Sequence, residues 1–291
     1  MSKIAVLTDS CASIPKNLID ELNIHIVSYY IHRGSEVLRD LVTIQRDEFL
    51  NWLPTATTLP TTACPGPGDY LKKFNELISN GVKNIISIHM TSKGSGAFDA
   101  ATLAKNMLKD DQADIRIEVI DTHNVSLCQG WMAIESARSA IRGANLDEIL
   151  ARIKRMIPVT QMIQTADTLK YLQMGGRIGM AKRLVGSMLN IKPLIGMRDG
   201  QIVALGQTRS RLKAYRAMSD YVAESVGNGK VKIAYVHAGA LNEIERLKTY
   251  VEEKVNIAES FITELSPALA VHTGPGTAGL CFFPVDLLGS G

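Results

Sequence analysis

Hydrophobic positions along this chain fall into short runs separated by longer stretches with helical spacing. Ile4–Thr8 is a continuous apolar run that predicts a buried strand, and Ser13 followed by Pro15 marks the entry to a helix. A second strand is expected over Ile24–Tyr30. Between Gly68 and Asn80 the residues Tyr70, Leu71, Phe74, Leu77 and Ile78 share one helical face, and Gly81 ends the helix. The pattern continues with a strand at Asn84–Met90, a helix at Gly96–Leu108, a strand at Ile115–Ile120 and a helix at Val125–Arg142. Strands alternating with helices predict a parallel sheet covered on both faces.

After about Pro158 the pattern changes. Helical segments at Asp167–Met174 and Met180–Leu189 flank Gly175-Gly176-Arg177. The run Lys192–Leu205 reads as a hairpin turning at Arg198-Asp199-Gly200. A helix (Ser210–Val226), a strand (Val231–Val236), a helix (Leu241–Val255) and strands near Ile257–Leu265 and Leu280–Phe283 follow. A hairpin within an α/β pattern predicts a mixed sheet. The expected fold class is therefore α/β with two domains, residues 1–157 around a parallel sheet and 158–291 around a mixed one. A length of 291 residues suits two domains of ordinary size. No Pro/Gly/Ser-rich linker separates them, so close packing is expected.

Parallel sheets place ligands in the crevice beyond the carboxyl ends of their strands. The expected strand ends here are Asp9-Ser10, Thr91-Ser92-Lys93-Gly94-Ser95-Gly96 and Asp121-Thr122-His123-Asn124; Thr61-Thr62 precedes a helix, and His272-Thr273-Gly274-Pro275-Gly276 lies near the C-terminus. These loops are rich in hydroxyls and glycines and poor in carboxylate pairs, a chemistry suited to an anion's oxygens. The plain alternative for the 91–96 loop is a helix cap on a flexible turn. Cys64 with His272 could form a nucleophile–base pair, although a small packed cysteine explains the same residue. Arg177, Arg209 and Arg211 stand next to glycines or a helix start, where solvated surface charge is the ordinary alternative.

Composition narrows the choice. A net charge of +3, with no basic run interleaved with aromatics, argues against nucleic acid as partner. Cys11, Cys64, Cys128 and Cys281 form no CxxC pair, and the six histidines never come in metal-ligand pairs, so no metal site and no disulfide framework are expected. GxxxxGK(S/T), GxSxG and HExxH patterns are absent, and Gly94-Ser95-Gly96 lacks the third glycine of a dinucleotide fingerprint. Met1-Ser2-Lys3-Ile4 runs straight into the first strand without a secretory leader, and no apolar stretch is long enough to span a membrane, so a cytoplasmic location is expected.

Taken together, Thr8-Asp9-Ser10, Thr62-Ala63-Cys64-Pro65-Gly66-Pro67, Thr91–Gly96, Asp121-Thr122, the stretch LKYLQMGGRIGMAKRLVGSMLNIKPLIGMRDGQI from Leu169 to Ile202, Arg209, Arg211 and His272–Gly276 resemble the DegV family over essentially the whole length. Members of that family are the fatty-acid-binding subunits of bacterial fatty acid kinase. The resemblance implies two α/β domains with a lipid held between them and no cofactor other than a bound long-chain fatty acid. It implies a carrier, with phosphoryl transfer left to a separate fatty acid kinase catalytic subunit, and leaves room for transient membrane contact. Thr62 and the serine loop would bind the carboxylate, Ser95 first and Ser92 second, with Gly96 beside them and His272 nearby. Arg177 would support that network, and Arg209 matches a residue used for docking the kinase. The alternatives are a stand-alone acyl hydrolase or transferase using Cys64 or Ser95 with His272, and a lipid-responsive regulator. The chain departs from the family's usual Thr-Ser-Gln-Pro at Ala63 and Cys64, and from Ser-Gly-Thr-Tyr at Ala97 and Phe98. Lost hydroxyls at 63, 97 and 98 would each remove a hydrogen bond worth roughly 0.5–1.5 kcal/mol, which predicts a rebuilt head-group site or a different lipid.

Overall fold

Continuous apolar runs become the inner strands of two sheets, and the helical stretches pack between and outside them. In the computed structural model, which describes residues 4–108, 114–187 and 191–286, the first half runs β1 (Ile4–Asp9), α1 (Lys16–Leu22), β2 (His25–Val27), β3 (Tyr30–Arg33), β4 (Glu36–Arg39), α2 (Arg46–Trp52), β5 (Thr61–Ala63), α3 (Pro67–Ser79), β6 (Asn84–His89), α4 (Ala97–Asn106), β7 (Arg116–Asp121), α5 (Leu127–Ile141) and α6 (Leu146–Met156). The second half continues with β8 (Gln161–Thr165), α7 (Lys170–Met174), β9 (Lys192–Arg198), β10 (Gln201–Thr208), α8 (Arg211–Val226), β11 (Lys230–His237), α9 (Leu241–Glu252), β12 (Asn256–Glu264), α10 (Pro267–Thr273) and β13 (Ala278–Pro284).

Strands β2-β1-β6-β7 form a parallel sheet. The second sheet orders β10-β9-β8-β13-β11-β12 and is mixed: β11 and β12 are parallel, while the other neighbours are antiparallel. The α/β class predicted above, parallel first and mixed second, is the one observed. Helix α5 explains how the sheets join. It is buried along nearly its whole length, packing on β1 and β6 on one side and on β13 on the other. Trp131 donates its indole N–H to Cys281 O at 3.0 Å and packs against Phe261 and Phe283. A side chain at Gly130 would lie 2.8 Å from Ala12 O, so only glycine lets α5 approach the first sheet this closely.

One buried charge ties the layers together. Glu135 on α5, 2% exposed, meets Arg138 at 3.0 Å, Arg152 of α6 at 3.0 Å and Lys232 of β11 at 2.8 Å. Burial alone would raise its pKa, but Lys232 and Arg138 outweigh that and hold the carboxyl below its ordinary value.

Two expectations are corrected. The strand expected over Ile24–Tyr30 is two strands in different sheets, because Tyr29 N–H bonds to Ser10 Oγ at 3.1 Å and leaves the parallel ladder. Tyr30–Arg33 then opens an antiparallel sheet, β4-β3-β5, that brings Thr62 opposite Ile31. The helix expected over Met180–Leu189 is a 3-10 helix over Gly179–Ser187; Leu189 lies outside the described residues.

Candidate functional site

Three of the polar loops singled out in the sequence, at Thr62, at Thr91–Gly96 and at His272-Thr273, meet at one cavity of about 280 Å³, where residues from before and after Pro158 face one another. Each loop is held by bonds that aim its side chains. After β6, Thr91 N–H bonds to Asn124 O at 2.8 Å, and Ser95 N–H folds back onto Thr91 O at 3.2 Å. Thr91 Oγ1 donates to Gly200 O at 2.9 Å and Lys93 Nζ to Asp199 O at 2.7 Å, so the serine loop grips the turn of the β9–β10 hairpin. Asp199 and Gly200 both have positive φ, as that tight turn requires.

Held this way, Ser95 Oγ lies 2.6 Å from Tyr29 OH, which also contacts Met90 Sδ at 3.2 Å. Burial pushes the Tyr29 phenol well above its ordinary pKa, so it remains a neutral hydrogen-bonding group. On the other side, α10 carries His272 at its C-terminal end. The helix starts where Asp40 Oδ1 accepts Ala268 N–H at 3.2 Å and stops at Gly274, whose φ is +78°. A side chain at Gly274 would overlap the Tyr171 ring. Arg211 grips the following turn through Gly276 O and pairs with Asp167 at 3.1 Å.

His272 Nε2 lies 2.7 Å from Thr62 Oγ1. Burial, and secondarily the charge of Arg177, pull the imidazole down to about 4, so it is neutral near pH 7. Its Nδ1 is buried without a hydrogen-bond partner among the described residues. We assign the proton to Nε2: Nδ1 then buries a lone pair rather than an orphan N–H, and Thr62 keeps its own proton free to donate to an incoming oxygen.

Thr62, Ser95, Gly96, His272 and Arg177 all line this one cavity. Ser92 does not: its N–H bonds to Asp121 Oδ2 at 3.1 Å and the residue is exposed on the outer side of the loop. Arg209 is exposed and outside the lining, just before the Ser210 cap of α8. Arg177 donates to Gly175 O at 2.8 Å. Sequence reasoning missed Tyr29, Cys11, Met90, Ser126 and Gln164 in the lining; for Tyr29 a signal was available, since it lies next to the carboxyl end of a predicted strand. The remaining wall is largely apolar, with Val125, Met162, Leu172, Met197, Val236 and Leu269.

Chemically the arrangement fits a narrow apolar molecule with one acidic end. Cys64 lines the cavity, but the partner of His272 is Thr62 and that of Ser95 is Tyr29, so no nucleophile–base pair is assembled among the described residues. Among the described residues there is no group of three His, Cys, Asp or Glu side chains able to hold a metal ion, and no helix long and apolar enough to cross a membrane.

Comparison with known proteins agrees with this layout. The family model described as "Uncharacterised protein, DegV family COG1307" matches residues 3–285. A DegV domain-containing protein of Caldanaerobacter subterraneus subsp. tengcongensis is 29% identical over 283 residues, covering 97% of this chain and 99% of its own. Another, of Halalkalibacterium halodurans, is 30% identical over 286 residues, with coverage of 97% and 99%. Among solved structures, a fatty-acid-binding DegV family protein from Thermus thermophilus matches with a TM-score of 0.91 at 27% identity, covering 97% of this chain and 100% of that one. DegV from Bacillus subtilis, a fatty acid binding protein, matches with a TM-score of 0.85 at 25% identity, covering 98% and 100%. The chain belongs to the DegV family.

Proposed function

We propose that this protein binds a long-chain fatty acid in the cavity and presents its carboxylate to a separate fatty acid kinase catalytic subunit. The observation that carries the binding half is the pairing of hydroxyls, Thr62 with His272 and Tyr29 with Ser95, on the wall of an otherwise apolar cavity. About fifteen buried methylenes at ~0.8 kcal/mol each contribute roughly 12 kcal/mol. Subtracting at least ~4 kcal/mol for association leaves about 8 kcal/mol or less, so the acyl chain alone supports affinity up to about micromolar. The carboxylate must be hydrogen-bonded wherever water is excluded. Thr62 Oγ1, Ser95 Oγ and the Gly96 backbone supply that end, while neutral His272 orients Thr62 and exposed Arg177 offsets the negative charge from the rim.

The presentation half rests on the family resemblance, together with Arg209 standing exposed outside the cavity. On the partner, a carboxylate oxygen would attack the γ-phosphorus of ATP, giving an acyl phosphate and ADP. A division of the chain near Pro158 into two units that close over the acyl chain belongs to the same proposal.

Native mass spectrometry of the purified protein should find a mass increment that lipid extraction identifies as a fatty acid. Mixing with the kinase catalytic subunit and ATP should yield acyl phosphate. An empty protein that also ignores added oleate and palmitate would overturn the binding half; a loaded protein that no kinase phosphorylates would overturn the presentation half.

A further inference from the structure

We propose that the cavity contains a second polar anchor, Ser126 with Gln164, that selects an acyl chain bearing a hydroxyl along its tail. The proposal rests on the fatty-acid reading above and specifies the ligand class. Ser126 is the residue preceding α5, a position where serine ordinarily accepts an N–H from the first helical turn. Here its side chain makes no such bond, and its φ of +58° is uncommon outside glycine. Instead the residue is 5% exposed, lines the cavity, and leaves its hydroxyl without a hydrogen-bond partner among the described residues. A buried hydroxyl left unpaired is costly.

From the second sheet, Gln164 of β8 is likewise 5% exposed and lines the same cavity. Gly279, opposite it in register, makes room: a side chain there would lie 2.6 Å from Gln164 Cβ. Asn124 Nδ2 donates to Thr160 O at 3.0 Å, stitching the loop that carries Ser126 to the residue just before β8. The surrounding wall is apolar, with Met90, Val125, Met162, Met197 and Cys281.

The contrast with the head-group residues decides the assignment. The hydroxyls of Thr62, Tyr29 and Ser95 each have a side-chain partner, and His272 lacks one only at Nδ1, whereas the Ser126 hydroxyl has none among the described residues. A plain hydrocarbon tail would leave it unpaired. A tail hydroxyl would both donate to and accept from Ser126 and the Gln164 amide, and the positive N-terminal end of the 15-residue α5 favours the oxygen's lone pairs. Sites built to bond a ligand hydroxyl discriminate strongly against the analogue lacking it.

The test compares dissociation constants of the delipidated full chain for stearate and for its 2-, 10- and 12-hydroxy derivatives. One positional isomer should bind about tenfold tighter than stearate, as expected for a paired buried hydroxyl. Ser126→Ala and Gln164→Leu should bring that ratio close to one. Ser126→Gly, which suits the positive φ, should do the same while melting no lower than the parent. Binding of stearate with no preferred hydroxy isomer, or a preference that survives Ser126→Ala and Ser126→Gly, overturns the anchor and leaves the fatty-acid reading standing. Binding of none of the acids would remove both.

Discussion

The neutral, buried His272 makes a measurable claim about pH. Its pKa is drawn from the ordinary 6.5 down to about 4, first by burial and then by the charge of Arg177. In the unfolded chain the imidazole takes up a proton below about 6.5; in the folded protein it does so only near 4. The unfolded state therefore binds more protons across that window, and stability rises with pH there. At about 1.4 kcal/mol per pKa unit, acidification from 6.5 to 4 removes roughly 3 kcal/mol. Asp40 acts in the opposite sense: burial raises its carboxyl to about 6 from 3.8, so its contribution is fully present below about 3.8 and is lost as pH rises through about 6. The two slopes oppose each other, so the pH profile of the parent protein alone is uninformative. The measurable quantity is the urea-unfolding free energy of the parent minus that of His272→Gln, a side chain that still reaches Thr62 but does not titrate. Between pH 7.5 and 4.5 that difference should shift by about 2–3 kcal/mol against the parent, and the corresponding difference for Asp40→Asn should shift the other way. Saturating stearate should shrink the His272 effect, because a nearby carboxylate favours the imidazolium. A parent-minus-variant difference that stays constant within about 0.5 kcal/mol would mean that His272 is not desolvated as the geometry requires.

Three further outcomes are expected. Glu135→Gln removes the carboxylate that Arg152 pairs with and leaves Arg138 and Lys232 with Glu259 alone, and should cost about 3 kcal/mol in urea unfolding. Gly175→Ala places a methyl on top of His272 Nδ1, so fatty acid retention in native mass spectrometry should fall sharply while the far-ultraviolet circular dichroism spectrum is unchanged. Arg209→Ala should weaken acyl phosphate formation with the kinase subunit while lipid stays bound; loss of lipid would instead place Arg209 at the cavity.

Much of the fold was legible because its strongest signals are local. Continuous runs such as Ile4–Thr8 and the single apolar face of α3 need no tertiary information. What escaped did so for identifiable reasons. Helix α6 had a readable signature, Asn145 three residues before Glu148, and the two form reciprocal cap bonds at 3.0 and 2.8 Å. Strand β8 (QMIQT) shows neither a continuous apolar run nor an alternation, because its polar residue Gln164 lines a cavity rather than meeting solvent. The small antiparallel sheet β4-β3-β5 depends on Ser10 capturing Tyr29 N–H, a bond between residues 19 apart. The strand-end rule singled out the loop of Ser95, and the family resemblance pointed to Thr62, His272 and Arg177, yet neither gave their partners. Thr62 and His272 are 210 positions apart, and no spacing pattern reports a contact made by folding α10 onto β5.

That distinction bears on the chain's departures from its family's usual loops. Hydroxyls missing at Ala63, Ala97 and Phe98 suggested a rebuilt head-group site. Ala63 is exposed on β5, and Ala97 is fully buried at the start of α4, where its N–H bonds to Ser95 Oγ at 3.3 Å. Neither they nor Phe98 lines the cavity. The Thr62–His272 and Tyr29–Ser95 pairs form without them. Of the four changes, Cys64 alone reaches the lining, its Sγ 3.4 Å from where a Gly96 side chain would begin. A thiol is a weaker hydrogen-bonding group than an amide and a better apolar neighbour. On the proposed reading, Cys64 in place of the family's usual glutamine leaves the polar end of the cavity to the Thr62–His272 and Tyr29–Ser95 pairs, enough for one carboxylate.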